Sequence, residues 1–452
     1  MNTQYLLNRS YGFNRNEILK RFTATRLIYS LHPTSVTFSH SSSATRALDE
    51  RLSAHPSGVN ALTIDKFESR YLLSGGADSS IAIWDLETPA GYDNATAIYQ
   101  PLSAVSKTSE KHKLGITQLS FYPFDSLAFL TSSYDHTVKV YSSETLAASA
   151  SFNLDSVVYN IALSPIASHL LVACATQHPA VRLVDLRSGA STHSLAGHSG
   201  AVLSTAWSPT REHVLTSGAT DGSVRFWDIR RSVGELGHLD LEDSVGVIGK
   251  TTSSYDQNSF QGKAHKGPVN GIVWTEDGKH LLTCGHDQRI RVWNTETGAN
   301  TLANFGPMVK NSGLAPLIPV LPPAQFLDPG KDVMFYPNEH EILGYELFDG
   351  KLIRRLRRTD QKHDDLPEKG KRNIKDRITA LAWRAHDVEL YSAHADGNIV
   401  AWKPRTEEEK ELDEDEVVEQ EEAEEKESSQ KRKRNVLEDI YQDLTRKKIT
   451  FS

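Results

Sequence analysis

Apolar and polar residues alternate in short runs along most of this chain, which predicts β-strands separated by tight turns. The clearest run extends from Val224 to Trp227 and alternates with a period of two, and the residues before it, from Val214 onward, supply an earlier strand. Asp221 and Gly222 lie between them, where a glycine tolerates the positive φ of a tight turn. The chain is therefore predicted to be all-β.

The same unit recurs along the sequence, with an aspartate six residues before an aromatic residue in five copies. In four copies a histidine stands 22 or 23 residues before the aspartate. The pairs are Asp78 and Trp84, Asp135 and Tyr141, Asp221 and Trp227, Asp287 and Trp293, and Asp396 and Trp402. The histidines are His55, His112, His198 and His265. Units of this size cannot bury their hydrophobic faces alone, so they must stack on one another.

This spacing resembles the WD repeat, in which each unit forms one four-stranded blade of a β-propeller. The resemblance implies a buried hydrogen-bonded network within each blade, which maps onto His198, Ser217, Asp221 and Trp227 in the most complete unit. The alternative is a catalytic Ser-His-Asp triad. Four or five copies of one triad, without a Gly-x-Ser-x-Gly turn, do not fit a hydrolase, so we expect neither enzymatic activity nor a cofactor.

Counting the residue that closes each unit predicts a seven-bladed propeller across residues 51–404. The closing residues are Trp84, Tyr141, Val184, Trp227, Trp293, Tyr345 and Trp402. The third unit lacks the turn aspartate, the sixth keeps only strand-like runs, and the seventh has no histidine at the expected distance. Inserts at 88–112, 231–263 and 357–376 are predicted to be functional or disordered loops.

Residues 1–50 precede the first unit and lack the basic start and apolar core of a secretory signal. Their apolar residues predict two short amphipathic helices, with Asn14 or Asn16 as a cap. These apolar residues are Ile18, Leu19, Phe22, Leu27 and Ile28. Two interpretations of residues 1–50 remain open: a mobile leader and a pair of docking helices.

The composition changes after residue 404. Residues 405–430 hold 14 acidic against 3 basic residues, which predicts a disordered linker, and residues 431–452 hold 7 basic against 3 acidic residues with a possible short helix. Because the whole chain carries a net charge of −8, the body before the tail is nearly neutral. Lys431, Arg432, Lys433 and Arg434 predict nuclear import, although such clusters also arise by chance beside acidic runs.

The remaining candidate chemistry is sparse. Cys174 and Cys284 fall in predicted strands and are too few for a disulfide framework or a zinc site, so we expect small buried residues of a reducing compartment. His55, His136 and His286 could suggest a metal site, but their places in repeated turns argue against one. No run of 18 apolar residues occurs, so no membrane span is expected. No phosphate-binding glycine loop is found either, so no small-molecule ligand is expected.

One local motif suggests a partner. Trp227 and Asp228 are followed two residues later by Arg230, and Arg187 closes the third unit in a weaker form. This box, with an apolar helical segment ahead of the first blade, resembles the substrate receptors of cullin-4 ubiquitin ligases. The resemblance implies docking onto the adaptor DNA damage-binding protein 1. The residues implied are Asp228, Arg230, Arg187, Ile18, Leu19, Phe22 and Leu27.

Longer strings at 71–78, 131–140, 269–278 and 297–306 resemble the Cockayne syndrome group A family, of which this chain would be a divergent, fungal-like member. The resemblance covers residues 10–404. It implies a non-catalytic substrate receptor in transcription-coupled nucleotide excision repair in the nucleus. Its implied partners are the Cockayne syndrome group B protein and stalled RNA polymerase II.

Two other functions stay open. One is a nuclear scaffold in chromatin or RNA processing without a ligase. The other is direct DNA binding through the basic run 354–358. The same run can also be interpreted as a solvated strand end. The nearly neutral body argues against DNA binding, because phosphate neutralisation supplies most of that affinity.

Overall fold

The computed structural model describes residues 12–40, 53–93, 96–105, 111–166, 168–189, 191–231, 234–241, 262–358 and 377–405. Residues Met1–Lys403 form one compact unit, and Pro404–Ser452 form a second. Of the second unit only Pro404 and Arg405 are among the described residues. The predicted acidic linker, from residue 406 onward, and the basic cluster Lys431 to Arg434 therefore lie outside them.

The described residues form one α-helix, α1 (Arg15–Tyr29), and many short strands. The first strands are β1 (Leu31–Pro33), β2 (Val36–Phe38), β3 (Val59–Ile64), β4 (Tyr71–Gly76), β5 (Ile81–Asp85), β6 (Gly91–Asp93), β7 (Thr96–Tyr99) and β8 (Pro101–Val105). Next come β9 (Ile116–Phe121), β10 (Ala128–Ser133), β11 (Thr137–Ser142), β12 (Ala148–Asn153), β13 (Val158–Leu163), β14 (Leu171–Thr176), β15 (Ala180–Asp185) and β16 (Ser191–Ala196). They are followed by β17 (Val202–Trp207), β18 (Val214–Ala219), β19 (Val224–Asp228), β20 (Glu235–His238), β21 (Val269–Trp274), β22 (His280–Gly285) and β23 (Arg289–Asn294). The last are β24 (Val333–Pro337), β25 (Ile342–Glu346), β26 (Leu352–Leu356), β27 (Ile378–Trp383), β28 (Leu390–His394) and β29 (Ile399–Pro404).

Antiparallel sheets follow one another along the chain. Four-stranded sheets are formed by β3, β4, β5 and β8, by β9 to β12, by β13 to β16 and by β17 to β20, and three-stranded sheets by β21 to β23 and by β24 to β26. The strands β27, β28 and β29 are completed by β1, in the order β1-β29-β28-β27. An early strand thus closes the sheet made by the last ones, which joins the two ends of the repeat array.

The prediction of a seven-bladed propeller is wrong, because the described residues already form eight sheets. The unpredicted sheet has the order β2-β7-β6. The strands β6 and β7 come from the insert 88–112, which was expected to be a functional or disordered loop, and β2 comes from the segment before the first unit. Its short strands carry no turn aspartate and no closing tryptophan, so the repeat pattern could not reveal them. Packing fixes the sheet in place: the Phe38 ring stacks on Tyr99 at 5.3 Å and meets the edge of Trp84 at 5.3 Å.

The helix α1 is continuous where two short helices were predicted. Residues 15–29 contain neither glycine nor proline, so nothing interrupts the backbone hydrogen bonds. Asn14 is the N-cap, as predicted, and its backbone N–H donates to Glu17 Oε2 at 2.9 Å. Asn16 lies inside the helix. No helix in the described ranges is long and apolar enough to cross a membrane.

The core follows the alternation read from the sequence. Cys174 and Cys284 are buried free thiols in β14 and β22, as predicted, and burial raises the pKa of Cys174 to about 12. The turn at Gly222 has φ +83°, and a Cβ there would collide with the carbonyl oxygen of His265. The absence of a side chain lets this turn approach His265 at the start of the next sheet, and Gly397 approaches the carbonyl oxygen of His55 in the same way.

Candidate functional site

The central channel has two ends that carry different residues. The innermost strands β3, β9, β13, β17 and β21 all end at one cavity of about 370 Å³, which Phe121, Leu163, Trp207 and Trp274 help to line. Strands alternate in direction within a sheet, so the third strands, such as β15 and β19, end on this side as well. The repeated histidines precede the innermost strands and therefore lie at the opposite end, which we call the network rim.

The helix α1 belongs to the cavity end. Glu276 lines the cavity, and its Oε2 accepts a hydrogen bond from the backbone N–H of Ala324 at 3.0 Å. Arg21 Nη1 in α1 donates to the carbonyl oxygen of Ala324 at 3.2 Å, and Thr25 Oγ1 accepts from the N–H of Asp328 at 3.0 Å. We call this end of the channel the α1 rim.

The fourth sheet contains a complete buried network on the network rim. Ser217 Oγ accepts a hydrogen bond from Trp227 Nε1 at 2.7 Å and lies 2.6 Å from His198 Nε2. His198 Nδ1 lies 2.8 Å from Ser223 Oγ, which donates to Asp221 Oδ1 at 2.6 Å. Ser217 is 0% exposed, so its hydroxyl cannot reach a substrate. The arrangement satisfies buried polar groups rather than activating a nucleophile.

The other units repeat this geometry with local changes. An imidazole nitrogen meets a strand hydroxyl between His55 and Ser74 at 2.7 Å, His112 and Thr131 at 2.6 Å, and His265 and Thr283 at 2.7 Å. The closing indoles of Trp84, Trp293 and Trp402 donate to Ser74, Thr283 and Ser392 at 2.8, 2.9 and 2.9 Å. In the last sheet the imidazole comes from His394, 3.0 Å from Ser392. Sequence reasoning missed His394 because it follows the serine on the same strand instead of preceding it.

Burial sets the protonation of this network. It lowers the pKa of His55 to about 4, and it lowers the pKa of His265 as well, so both imidazoles are neutral. Burial alone would raise the pKa of Asp221, but hydrogen bonds from His198, Ser223 and backbone N–H groups outweigh it and hold that pKa well below its usual range. Hydrogen bonds also lower the pKa values of four other turn aspartates against the effect of burial. The first donor is a histidine at Asp135 and Asp287, Ser80 at Asp78 and Arg358 at Asp396.

Three of the four helical residues proposed from the sequence are exposed on α1. Leu19, Phe22 and Leu27 are 61%, 48% and 39% exposed. Ile18 is buried against the body of the protein, on the same side of the helix as Thr25 and Ile28. The helix is thus held by one face and presents apolar side chains on the other.

Arg230 is exposed at the α1 rim, and its side chain donates two hydrogen bonds to Asp228. Its Nε and Nη2 donate to Asp228 Oδ1 and Oδ2 at 3.0 and 2.8 Å, which lowers the pKa of Asp228 to about 2. Arg187 differs: its backbone N–H donates to Asp185 Oδ1 at 2.9 Å, and its side chain is exposed. The structure therefore brings Arg230, but not Arg187, into a fixed two-bond geometry.

The arginines of the basic run 354–358 form hydrogen bonds and ion pairs with other parts of the protein. Arg354 Nη1 donates to the carbonyl oxygen of Tyr29 at 2.9 Å, which ties the end of α1 to β26. Arg355 and Arg357 share Glu341 at 2.8 and 2.9 Å, and Arg358 pairs with Asp396 at 2.8 Å. These contacts join neighbouring elements, while the side chain of Arg357 stays 62% exposed.

Comparisons with known proteins agree with this architecture. Residues 47–85, 104–142, 189–228 and 257–294 match the family described as WD domain, G-beta repeat. The chain is also 31% identical over 424 residues to the WD repeat-containing protein ATCSA-1 of Arabidopsis thaliana, a match that covers 80% of this chain and 88% of that protein. This chain is a WD-repeat protein. The matched segments are the units with a complete histidine–aspartate spacing, and the degenerate units fall between or after them.

Two other relatives are similar over a smaller part of the chain. The ribosome biogenesis protein ytm1 of Neurospora crassa is 28% identical over 55% of this chain and 56% of its own length. Radiation-sensitive protein 28 of Saccharomyces cerevisiae is 27% identical over 47% of this chain and 43% of its own length. The chain thus spans about half the length of these two relatives. WD-repeat proteins are in general scaffolds or receptors that bind other proteins, and none of the three relatives is named as an enzyme.

Proposed function

We propose that this WD-repeat protein is a substrate-recognition subunit of a cullin-4 type ubiquitin ligase that acts in transcription-coupled nucleotide excision repair. One observation carries the proposal. The outward side of α1, with Leu19, Phe22 and Leu27, lies on the same rim of the protein as the exposed Arg230. A helix and an arginine on one rim are what docking onto DNA damage-binding protein 1 requires in the receptors that this sequence resembles.

The physical case rests on how α1 is held. Burying a large apolar side chain from the outer face of a helix removes it from water and is favourable. Exposed apolar groups of this kind mark interaction sites. The propeller fixes α1 through Arg21, Thr25 and Ile28, so a partner would not have to order the helix on binding. Phe22 and Arg230 belong to residue types that supply interface affinity.

The relatives support the same proposal. ATCSA-1 matches over most of both chains, and radiation-sensitive protein 28 carries a name that refers to radiation damage. The partners proposed on this basis are DNA damage-binding protein 1 with the cullin-4 ligase, the Cockayne syndrome group B protein and stalled RNA polymerase II. The proposed location is the nucleus, with import through Lys431 to Arg434. A fluorescent fusion that remains nuclear after these four residues are changed to alanine would contradict that import route.

The test is the affinity of the purified adaptor for the full chain. A double variant, Leu19→Asp with Phe22→Asp, should weaken binding by about thirtyfold or more, because truncating an interface anchor typically costs about 2 kcal/mol. Leu102→Asp is the matched control, since Leu102 is 60% exposed on β8, away from α1. Equal affinities for all three proteins would contradict adaptor docking through α1.

Arg230 allows a second matched pair. Arg230 and its neighbour Arg231 have side chains that are both 66% exposed, but only Arg230 forms the two-bond contact with Asp228. Arg230→Ala should weaken adaptor binding by about tenfold, as expected for a charged hydrogen bond, and Arg231→Ala by much less. Equal losses would assign the effect to net charge alone.

A second candidate function is a nuclear scaffold without a ligase, which the similarity to ytm1 favours. This function would place the protein in particles that assemble or process RNA. Its signature is co-sedimentation of the tagged chain with precursor ribosomal particles and no enrichment of the adaptor. The opposite pattern supports the receptor.

A further inference from the structure

The helix α1 lies on the sixth sheet, β24 to β26, whose repeat unit keeps only strand-like runs in the sequence. Just before β24 the chain forms a short 3-10 helix, Ala324–Phe326, and we call residues 324–328 the helix seat. Glu276 and Ala385, from turns of the two neighbouring sheets, accept hydrogen bonds from this segment at 3.0 and 3.4 Å. The helix seat is therefore fixed on both sides.

Arg21 joins α1 to the helix seat. Its Nη1 donates to the carbonyl oxygens of Ala324 and Leu327, both at 3.2 Å. The ring of Phe13 covers the guanidinium, whose central carbon lies 4.4 Å from the ring centroid. Arg21 thus contacts the seat and the residues ahead of the helix at the same time.

Thr25 makes the most enclosed contact with the seat. Its Oγ1 accepts a hydrogen bond from the backbone N–H of Asp328 at 3.0 Å and lies 3.3 Å from the carbonyl oxygen of Phe326. Thr25 is 4% exposed, so a partner protein cannot touch it. Any effect of this residue on docking must act through the position of α1.

The end of α1 is held by the outer strand of the same sheet. Arg354 in β26 donates to the carbonyl oxygen of Tyr29 at 2.9 Å. Ile28 is buried in one apolar cluster with Leu327 and Phe335. The helix therefore shares both hydrogen bonds and a hydrophobic core with the sixth sheet.

A partner can bind an exposed helix of this kind in two ways, by lifting it from the propeller or by binding it where it lies. Lifting α1 would expose Ile28 to water, which is unfavourable, and would separate Arg21 and Thr25 from their partners in the seat. Binding in place requires neither change, because the apolar residues on the other face are already accessible.

We propose that Arg21 and Thr25 are positioning residues that keep α1 on the helix seat while the adaptor binds, so that helix and propeller dock as one rigid body. The inference rests on the proposed docking through α1 and adds what fixes its geometry. It also assigns a role to the degenerate sixth unit, which supplies the seat.

Adaptor affinity of full-length variants, measured where circular dichroism shows each to be folded, tests this. Thr25→Val keeps the shape of the side chain but leaves the N–H of Asp328 without its partner, so the seated fraction falls and binding should weaken by about tenfold. Thr25→Ser keeps the hydroxyl and should restore binding. Thr23→Val is the matched control, because Thr23 is exposed and bonds to carbonyl oxygens of α1 itself. It should not weaken binding.

Hydrogen–deuterium exchange of the unbound protein gives a readout that does not involve the adaptor. Thr25→Val and Arg21→Gln should both speed exchange at residues 18–28 and leave 214–228 unchanged, because a looser seat opens only α1. A general loss of stability would instead speed exchange in both regions. Arg15→Gln, at an exposed position in the first turn, should change neither.

Four results would overturn the proposal. Unchanged exchange at 18–28 in Thr25→Val would show that this residue does not hold the helix. Faster exchange with unchanged affinity would mean that the adaptor does not need a seated helix, and tighter binding would mean that α1 leaves the seat. Equal losses for Thr25→Val and Thr23→Val would assign the effect to the helix alone. No adaptor binding by the unchanged protein would remove the receptor function itself, so the two failures are distinguishable.

Discussion

The third and fourth sheets have the same strand arrangement, but the third has an apolar interior and the fourth contains a hydrogen-bonded polar network. In β18 and β19 the interior holds Ser217 and Trp227, with the indole and His198 both bonded to the serine. The pairing registers place Cys174 and Val184 at the equivalent positions of β14 and β15. Leu154, four residues before β13, takes the place of His198 four residues before β17. All three substitutes are buried in one apolar cluster.

The difference shows that the polar network is one of two ways to fill the same space. Both sheets have an irregularity near the start of the innermost strand, between Val158 and Asn160 and between Val202 and Ser204. The alternation of apolar residues is therefore enough to set strand pairing. The network adds directional bonds between the sheet and the turn that precedes it, at the risk of costly unpaired groups if one member is lost.

The largest expected effect comes from the closing residue. Trp227→Ala should lower the free energy of unfolding by about 4 kcal/mol, because it removes a buried aromatic ring and the indole bond to Ser217. Val184→Ala should lower it by roughly 2 kcal/mol, because only two methyl groups are lost. Urea unfolding of both variants measures the difference. Similar losses would mean that the two interiors do not differ in kind.

The hydroxyl position gives a smaller contrast. Ser217→Ala leaves His198 Nε2 and Trp227 Nε1 buried without their shared partner, which should cost about 3 kcal/mol. Cys174→Ala removes only a small apolar group and should cost about 1 kcal/mol. Urea midpoints again provide the measurement. A larger loss for the cysteine variant would contradict the structural role of the serine.

The pH dependence separates sheets that contain a buried histidine from the one that contains leucine. Because the pKa of His55 is lowered to about 4 in the folded protein, the unfolded chain binds a proton first as the pH falls below about 6.5. Stability is full above that value and declines toward pH 4, by about 1 kcal/mol from this group between pH 7 and pH 5.5. His55→Leu should reduce that decline, measured as unfolding free energy against pH. An unchanged slope would show that His55 does not titrate on unfolding.

The smallest effect concerns the α1 rim. Arg230→Ala and Arg231→Ala should each change the free energy of unfolding only slightly, because both guanidinium groups are largely exposed and the backbone N–H of residue 230 still donates to the buried Asp228. Thermal melting of both variants is the measurement. A large loss for Arg230→Ala would make the pair structural, and any effect of that variant on adaptor binding would then be indirect.

The same contrast explains what the sequence could predict. The spacing of Asp221 and Trp227 identified a complete unit because the network demands fixed residue types at fixed distances. The sheet β2-β7-β6 escaped prediction because its position depends on the contact of Phe38 with Tyr99 and Trp84, which are far apart in sequence. His394 escaped for a related reason, since it reaches Ser392 from an unexpected direction.

The candidate surfaces divide in the same way. The helical segment could be predicted from its apolar residues. The sequence could not show that Leu19, Phe22 and Leu27 are exposed while Ile18 and Ile28 face the body of the protein. The cavity at the α1 rim could not be predicted, because Phe121 and Trp274 come from different sheets and line one cavity only when the sheets stack together. Nor could sequence show that the run 354–358 is paired with Glu341 and Asp396.

Hydrogen–deuterium exchange of the full chain, with and without purified DNA damage-binding protein 1, tests the central claim most directly, because it reports which rim the adaptor covers. The account predicts slower exchange at residues 12–30 and 228–231 in the complex, and no change at 134–136 or 311–314. Protection confined to the network rim, or no protection at any residue, would contradict docking through the α1 rim.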